Sequence, residues 1–314
     1  MLALKKKATR AEQKPARRKK KFKREVFFEF LCVVPELVIL AVVAYYPLAD
    51  LFRISFTDWN LMRRDYTYVG FENWKWFFTN LETNNIIHAF WVTIQYTVGH
   101  MIVVLGLGFL FALLFNRISR GFSLMRSIVF MPKYLAMSSA AVVFLWIFNE
   151  RYGIANRAVQ ALGGSAIPWL SSSSIAMFTV ILVTSWHGVG YDMMVFLSSM
   201  QGISKEYSEA AMLDGASKLS ILRYITLPML APTTMFLAVT QFIGSMKVFQ
   251  SIDVLTGGGP YRATSVVVMK IYSLAFEDYR VNRSACLSIV FFLVLLIVTR
   301  LTIKWSDRKV NYDA

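Results

Sequence analysis

The chain has 314 residues, of which 56% are hydrophobic and only 17% charged, with a formal net charge of +15 and a mean hydropathy of +0.49. Soluble domains carry about 25% charged residues. That deficit, together with apolar runs of about 20 residues, excludes a soluble globular protein and places the chain in a bilayer.

The positive charge does not describe a nucleic-acid surface. Twelve of the 34 Lys and Arg lie between Lys5 and Arg24, with one aromatic, Phe22, and no apolar period. Residues 1–26 read as a solvated, disordered cytoplasmic tail able to touch anionic headgroups. No aromatic platform or folded motif accompanies it, so no nucleic-acid partner is expected. The apolar run that follows is too long for a signal-peptide core and no A-x-A site follows it, so it reads as a retained anchor.

Six stretches are long enough to cross a hydrocarbon core of about 30 Å at about 1.5 Å per residue. They lie near 27–50, 90–115, 125–148, 175–200, 229–252 and 284–304. Ten-residue alternating segments are absent, which argues against a barrel. The expected fold class is therefore an all-α polytopic membrane protein with six transmembrane helices. It divides into the tail, a transmembrane domain over 27–304 and a C-terminal cytoplasmic tail over 305–314. Cys32 and Cys286 fall within spans and read as small buried apolar residues rather than as a disulfide.

With the N-terminus inside, inner segments carry 22 Lys and Arg and outer segments 10. This bias places both termini in the cytoplasm, although the tail supplies most of it. The outer loop over 52–88 is rich in aromatics, among them Trp59, Trp74 and Trp76. It reads as an interfacial belt or as a cap near a protein that docks outside.

The inner loop over 201–228 has its own helix signals. Ser204 can cap a helix start, and Glu206 suits the positive end of the helix dipole. Tyr207, Ala210, Ala211 and Asp214 then fall near one face, where small side chains permit close approach of another surface. Gly215 can end this helix through a positive φ. Ser217 can start a second helix through Tyr224, and Pro228 fits the start of the next span.

The spacing of Glu209-Ala210-Ala211, Gly215 and Ile225-Thr226-Leu227-Pro228 resembles the EAA loop of binding-protein-dependent ABC importer permeases. Several further stretches resemble carbohydrate-type members of that family. They are Tyr46-Pro47-Leu48, Ser55-Phe56-Thr57-Asp58-Trp59, Gly70-Phe71-Glu72-Asn73, Met131-Pro132, Gly153-Ile154-Ala155-Asn156 and Trp169. Leu255-Thr256-Gly257-Gly258-Gly259-Pro260 is similar to an outer loop of the maltose and glycerol-phosphate permeases. Unlike the maltose-type permease, this chain shows no extra N-terminal spans and no large outer domain.

The resemblance implies a type I ABC importer permease fold in a bacterial or archaeal cytoplasmic membrane. It also implies a coupling surface formed by Glu206, Tyr207, Glu209, Ala210, Ala211, Asp214 and Gly215. Its partners would be a second homologous permease, two ABC ATPase subunits and an external solute-binding protein. No G-x-x-x-x-G-K-[ST] occurs, so this chain is not expected to be an enzyme. ATP-Mg would sit on the partner ATPase, with no cofactor on this chain.

Polar groups within spans mark cavities or solute paths. Thr184, His187 and Tyr191 share a helical face, as do Gln241, Gly244 and Ser245. Together they offer hydrogen bonds and an aromatic face, the groups a sugar requires. By resemblance, the Trp-x-Gly-x-x-Tyr pattern at Trp186, Gly188 and Tyr191 carries solute-contacting positions. The same residues also suit helix–helix packing. Asp192 and Lys247 are candidate intramembrane charges that could pair between the fourth and fifth spans. Lys133 could snorkel to the interface, and Glu36 could face a partner or a cavity. His88, His100 and His187 lack metal-ligand spacing, so no metal is expected.

The implied function is import of a sugar, oligosaccharide or related polyol phosphate by alternating access. The alternatives are an ABC importer for a non-carbohydrate solute or a stand-alone secondary transporter. The latter would show repeated halves and an ion site at broken helices.

Overall fold

The computed structural model describes residues 29–116 and 119–309. The predicted basic tail, Arg117 and the last residues of the predicted C-terminal tail lie outside them. Lipid offers the backbone no hydrogen bonds, so each crossing segment must satisfy its own amides within a helix. Among the described residues there is no strand, only an isolated bridge between Thr57 and Tyr68.

The chain opens with α1 (Glu29–Ile54), then a short outer helix α2 (Glu72–Thr79) and the long α3 (Ile86–Leu114). Next come α4 (Arg120–Phe130), a 3-10 turn over Met131–Tyr134, α5 (Met137–Ile147) and the outer α6 (Ile154–Ala161). The central α7 (Ala176–Gly202) leads into α8 (Lys205–Leu213). After it run α9 (Lys218–Met229) and α10 (Ala231–Met246), then α11 (Gln250–Thr256) and α12 (Val267–Tyr272). The last is α13 (Val281–Lys309).

Four of these are long and apolar enough to cross a membrane, and two bent pairs raise the number of crossings to six. The structure adds to the expectation of six spans that two of them are bent. The third span folds by 102° between α4 and α5, the fifth by 61° between α9 and α10. Proline is the physical cause in both. Pro132 lacks the N–H that would continue α4, and the turn tightens to 3-10 before the chain extends through Leu135 and Ala136. Pro232 sits in the first turn of α10, where a missing N–H is tolerated. The second loop helix also runs on past Tyr224. A π-helical turn over Leu222–Thr226 shifts the hydrogen bonding to Leu227 N–H on Leu222 O, so Pro228 is accommodated without a break. The fifth span ends earlier than predicted, at Met246, and the chain restarts as α11.

The helix most enclosed by the others is α7, and α3 runs parallel to it at close range. A Cβ on Gly108 would lie 2.8 Å from Asp192 Cβ, and one on Gly188 would lie 3.2 Å from Val104. On another side of α7, Gly190 meets the end of α4: a Cβ there would lie 2.6 Å from Phe130 Cα. Small residues are the usual means of close helix contact in membranes. The fully buried Met193 and Phe196 then fill the inner half of the bundle with Leu230 and Leu237.

Helix α1 packs on α13 only through its end, Tyr46–Ile54. This explains a second departure: Cys32 is exposed on α1, whereas Cys286 is buried as expected, and both thiols are free. Glu36 is likewise exposed on α1.

Two of the quoted sequence patterns are structural hubs. The Asn73 amide donates to Ser55 O (3.0 Å) and Thr57 O (2.7 Å), and its carbonyl accepts from Asn282 Nδ2 (2.9 Å). Arg283 lies 4.3 Å above the Trp76 ring. Thus the aromatic segment forms a folded cap pinned to the start of α13, rather than a loose interfacial belt. Within it, the Thr67 amide at 2.6 Å holds the Asp58 carboxylate below its ordinary range. The buried Asn156 donates to Glu150 O and Ile167 O and accepts from Ile167 N–H and Trp169 Nε1.

The glycine contacts predict a contrast. Gly190→Ala should lower stability by about 1–3 kcal/mol or more, because backbone rather than a side chain must give way. Gly106→Ala, facing open space, should leave it unchanged. Thermal unfolding of the detergent-solubilised protein measures both.

Candidate functional site: a polar face on the central helix and an exposed loop surface

Two regions stand out, one at each end of the same stretch of α7 and α8. The first is polar and lies midway along α7. Gln241 Nε2 on α10 donates to Asp192 Oδ1 at 2.7 Å. Asp192 is fully buried, and its Oδ2 has no hydrogen-bond partner among the described residues. The predicted Asp192–Lys247 pair does not form. Gln241 is level with Asp192, whereas Lys247 lies six residues, or about 9 Å, farther along α10. Lys247 is exposed at the C-terminal end of that helix.

Ser245 Oγ lies 2.9 Å from Nδ1 of the buried His100, whose ring stacks on Tyr96 at 5.5 Å. Thr184 is buried too, and its hydroxyl donates back to Val180 O at 2.9 Å. Both hydroxyls therefore serve the helix packing. His187 is half-buried, and its Nε2 donates to Leu135 O at 3.0 Å. That carbonyl lies in the extended stretch that breaks the third span, so His187 braces the bend. Gly188 lies under His100 and Val104.

Tyr191 and Gln241 are half-buried, and Gly244 is exposed. Trp186 is partly exposed, edge-on to Phe144 at 4.9 Å. Lys133 joins this face: its Nζ lies 5.8 Å from the centroid of the Tyr191 ring. The 3-10 turn that carries it continues α4 and packs against α7 ahead of the 102° bend.

The second region is the loop over 201–228. Ser204 Oγ accepts from Glu206 N–H at 3.3 Å, capping α8 as expected. At the other end Gly215 has φ +81°, Ala216 N–H donates to Ala211 O at 2.9 Å and Gly215 N–H to Met212 O at 3.1 Å. This pattern of paired bonds closing a helix on a glycine fixes where the chain turns. Ser217 Oγ accepts from Ser220 N–H at 3.2 Å and starts α9. Glu206, Tyr207, Glu209, Ala210, Asp214 and Gly215 are exposed, and Ala211 is half-buried.

Sequence reasoning missed Met212 and Leu213, between the alanines and Asp214. Leu213 is 90% exposed, with Met212, Leu219 and Tyr224 exposed beside it in the chain. The available signal was the apolar pair Met212-Leu213 inside a polar loop. A contiguous apolar surface on a soluble-facing segment marks a protein contact. Under α8 lies a cavity of about 600 Å³ lined by Asn116, Gln201, Lys205, Ser208 and Thr226, among others.

At the outer end, Gly257 and Gly258 take positive φ, and Thr264 Oγ1 donates to Gly259 O at 2.7 Å. His88 Nε2 donates to Arg262 O at 3.1 Å, tying this loop to α3.

Asp192 and Gln241 should couple energetically. Gln241→Leu leaves a buried carboxyl oxygen unpaired and should cost about 1–3 kcal/mol. Asp192→Ala made in addition should add less than it does alone. A double-mutant cycle on thermal stability measures the pair.

Comparison with known proteins agrees with this geometry. Residues 104–312 match the family described as binding-protein-dependent transport system inner membrane component. The probable ABC transporter permease protein YurN of Bacillus subtilis (strain 168) is 30% identical over 284 residues, covering 88% of this chain and 94% of that protein. The sn-glycerol-3-phosphate transport system permease protein UgpA of Yersinia pestis is 28% identical over 291 residues, covering 90% and 95%. A bacterial ABC transporter involved in import of the acidic polysaccharide alginate shares the fold, with a TM-score of 0.81 and 21% identity over 94% of this chain and 100% of that one. An amino acid ABC transporter fits less fully, with a TM-score of 0.50, 13% identity and 74% of this chain covered. With bent and straight apolar helices, a short glycine-closed helix and these matches, the chain belongs to the binding-protein-dependent transport system inner membrane components.

Proposed function

We propose that this chain is one permease subunit of an ATP-driven importer for a sugar, oligosaccharide or related polyol phosphate. The observation that carries the reading is α8: a capped, glycine-closed helix that exposes Leu213 almost completely. An exposed leucine on a short rigid helix is explained by a partner that buries it. That partner is an ABC ATPase, which supplies the ATP-Mg chemistry. A second homologous permease completes the path, two ATPase subunits drive it, and an external solute-binding protein delivers the solute.

The carbohydrate assignment draws on the relative named for sn-glycerol-3-phosphate transport. It also draws on the like-folded alginate importer, which has been seen with its pentasaccharide-bound periplasmic protein. In this reading the protein is multi-pass in the cytoplasmic membrane with both termini inside. Residues 27–304 form the permease domain, flanked by tails over 1–26 and 305–314. Tyr191, His187, Gln241 and Gly244 face the solute, and Gly188, Thr184 and Ser245 hold that face in place.

Mechanism follows from connectivity. When ATP draws the ATPases together, the surface formed by Glu206, Tyr207, Glu209, Ala210, Ala211, Leu213, Asp214 and Gly215 moves with them. Only Ile203 and Ser204 separate α8 from α7, so the displacement reaches Tyr191 and Asp192. The path then opens alternately to the two sides.

Gly215→Val and Glu209→Trp test the reading in proteoliposomes holding the whole complex. Both should cut ATP-driven uptake at least about tenfold while the variant still inserts. Gly215→Val acts through the strained φ of +81° and Glu209→Trp by obstructing the contact. Full uptake by both variants would overturn the coupling role.

A further inference from the structure

The third and fifth spans each place a lysine where the bilayer disfavours one. Among the 34 Lys and Arg, only Lys133 and Lys247 fall away from the ends of the predicted spans. Their positions follow from their neighbours. Lys133 Nζ lies over Tyr191, which is near the middle of α7 (Ala176–Gly202). Lys247 follows Ser245 by two residues, and Ser245 meets His100, the midpoint of α3 (Ile86–Leu114). Lys133 therefore stands beside the middle of α7, and Lys247 closes α10 two residues past the Ser245–His100 contact.

Neither is neutralised by an ion pair. The only salt bridge among the described residues joins Arg53 to Asp50 on α1. Neither lysine donates a hydrogen bond to any described residue, and both are exposed. The nearest candidate counter-ion on α7, Asp192, is fully buried and directs Oδ1 to Gln241. Lys133 lies over Tyr191, the residue before Asp192 on α7. The elements carrying the two lysines both pack against α7, and Lys247 continues the α10 face of Gln241 and Gly244 at a spacing of three. An ammonium has three donors and no acceptor. Within a membrane, such a group faces a water-filled path and marks what passes through it.

We infer that the solute carries an anionic group, a phosphate or a carboxylate, which passes Lys133 and Lys247 on the Tyr191 face. This deepens the importer reading and rests on it. Tyr191 presents a ring to a sugar or polyol body, and the lysines present point charges to its anionic end. A neutral sugar would leave both ammonium groups without an anion throughout the cycle.

The test uses the assembled importer with its binding protein in proteoliposomes and four labelled probes in two matched pairs. Glycerol 3-phosphate is set against glycerol, and digalacturonate against α-1,4-galactobiose. The inference expects ATP-driven uptake of a charged probe only, and the pair that responds tells phosphate from carboxylate. K133Q and K247Q should each reduce that uptake about tenfold, whereas K133R should retain most of it. Uptake of a neutral probe at a rate equal to its charged counterpart would overturn the inference. So would failure to take up either charged probe, or undiminished uptake in K133Q and K247Q together. If a glutamine variant does not assemble, the probe selectivity of the parent complex decides alone. The importer reading is scored separately, by whether ATP hydrolysis by the parent complex responds to the solute-loaded binding protein.

Discussion

In a bilayer two apolar helices gain little by touching, so α3 and α7 hold together where small residues let their backbones close. Gly108 against Asp192 and Gly188 against Val104 set a parallel register that leaves no room for larger side chains. The polar centre follows from that register. With Gly108 beneath it, Asp192 is buried at a level where Gln241 of α10 can reach its Oδ1. With Gly188 beneath His100, the imidazole meets Ser245 on the same helix α10. Gly190 adds the third side by admitting the end of α4, and the 3-10 turn that continues it carries Lys133 onto Tyr191. Three of the helices around α7 are thus located by its glycines or by the polar groups those glycines position.

The same helix carries the motion. α7 passes from the outer core, through the polar centre, to Gly202, and α8 begins three residues later at Lys205. A cap at Ser204 and a glycine closure at Gly215 make α8 a rigid piece of defined length. Its exposed Leu213 has nothing to cover it among the described residues. A displacement applied at α8 therefore has a short, stiff route to Tyr191, and a weaker one through the bend at Leu230 into α10.

Much of this was legible in the sequence, for identifiable reasons. Apolar length gave the six crossings. Ser204, Gly215 and Ser217 gave the boundaries of the loop helices, because caps depend on adjacent residues alone. The pattern Gly153 to Asn156 with Trp169 was visible as a motif, although not its role: Asn156 holds an outer loop through four hydrogen bonds. The bends escaped because hydropathy is blind to them and Pro132 and Pro232 lie in otherwise apolar runs. Assuming charge must meet charge misassigned Asp192, whose Oδ1 a glutamine meets. Thr184 and Ser245 sat on plausible faces, but a hydroxyl on a helix can bond its own preceding turn or a neighbouring helix, and here both do.

The central claim is that α7 transmits movement of the α8 surface to the polar centre. It is tested most directly by the reactivity of Tyr191→Cys toward a small aqueous thiol reagent, in the assembled complex with Cys32 and Cys286 replaced. The account predicts different reactivity in the nucleotide-free and nucleotide-trapped states, with the difference lost when two glycines are inserted after Gly202. Equal reactivity in both states of the uninterrupted protein would contradict it.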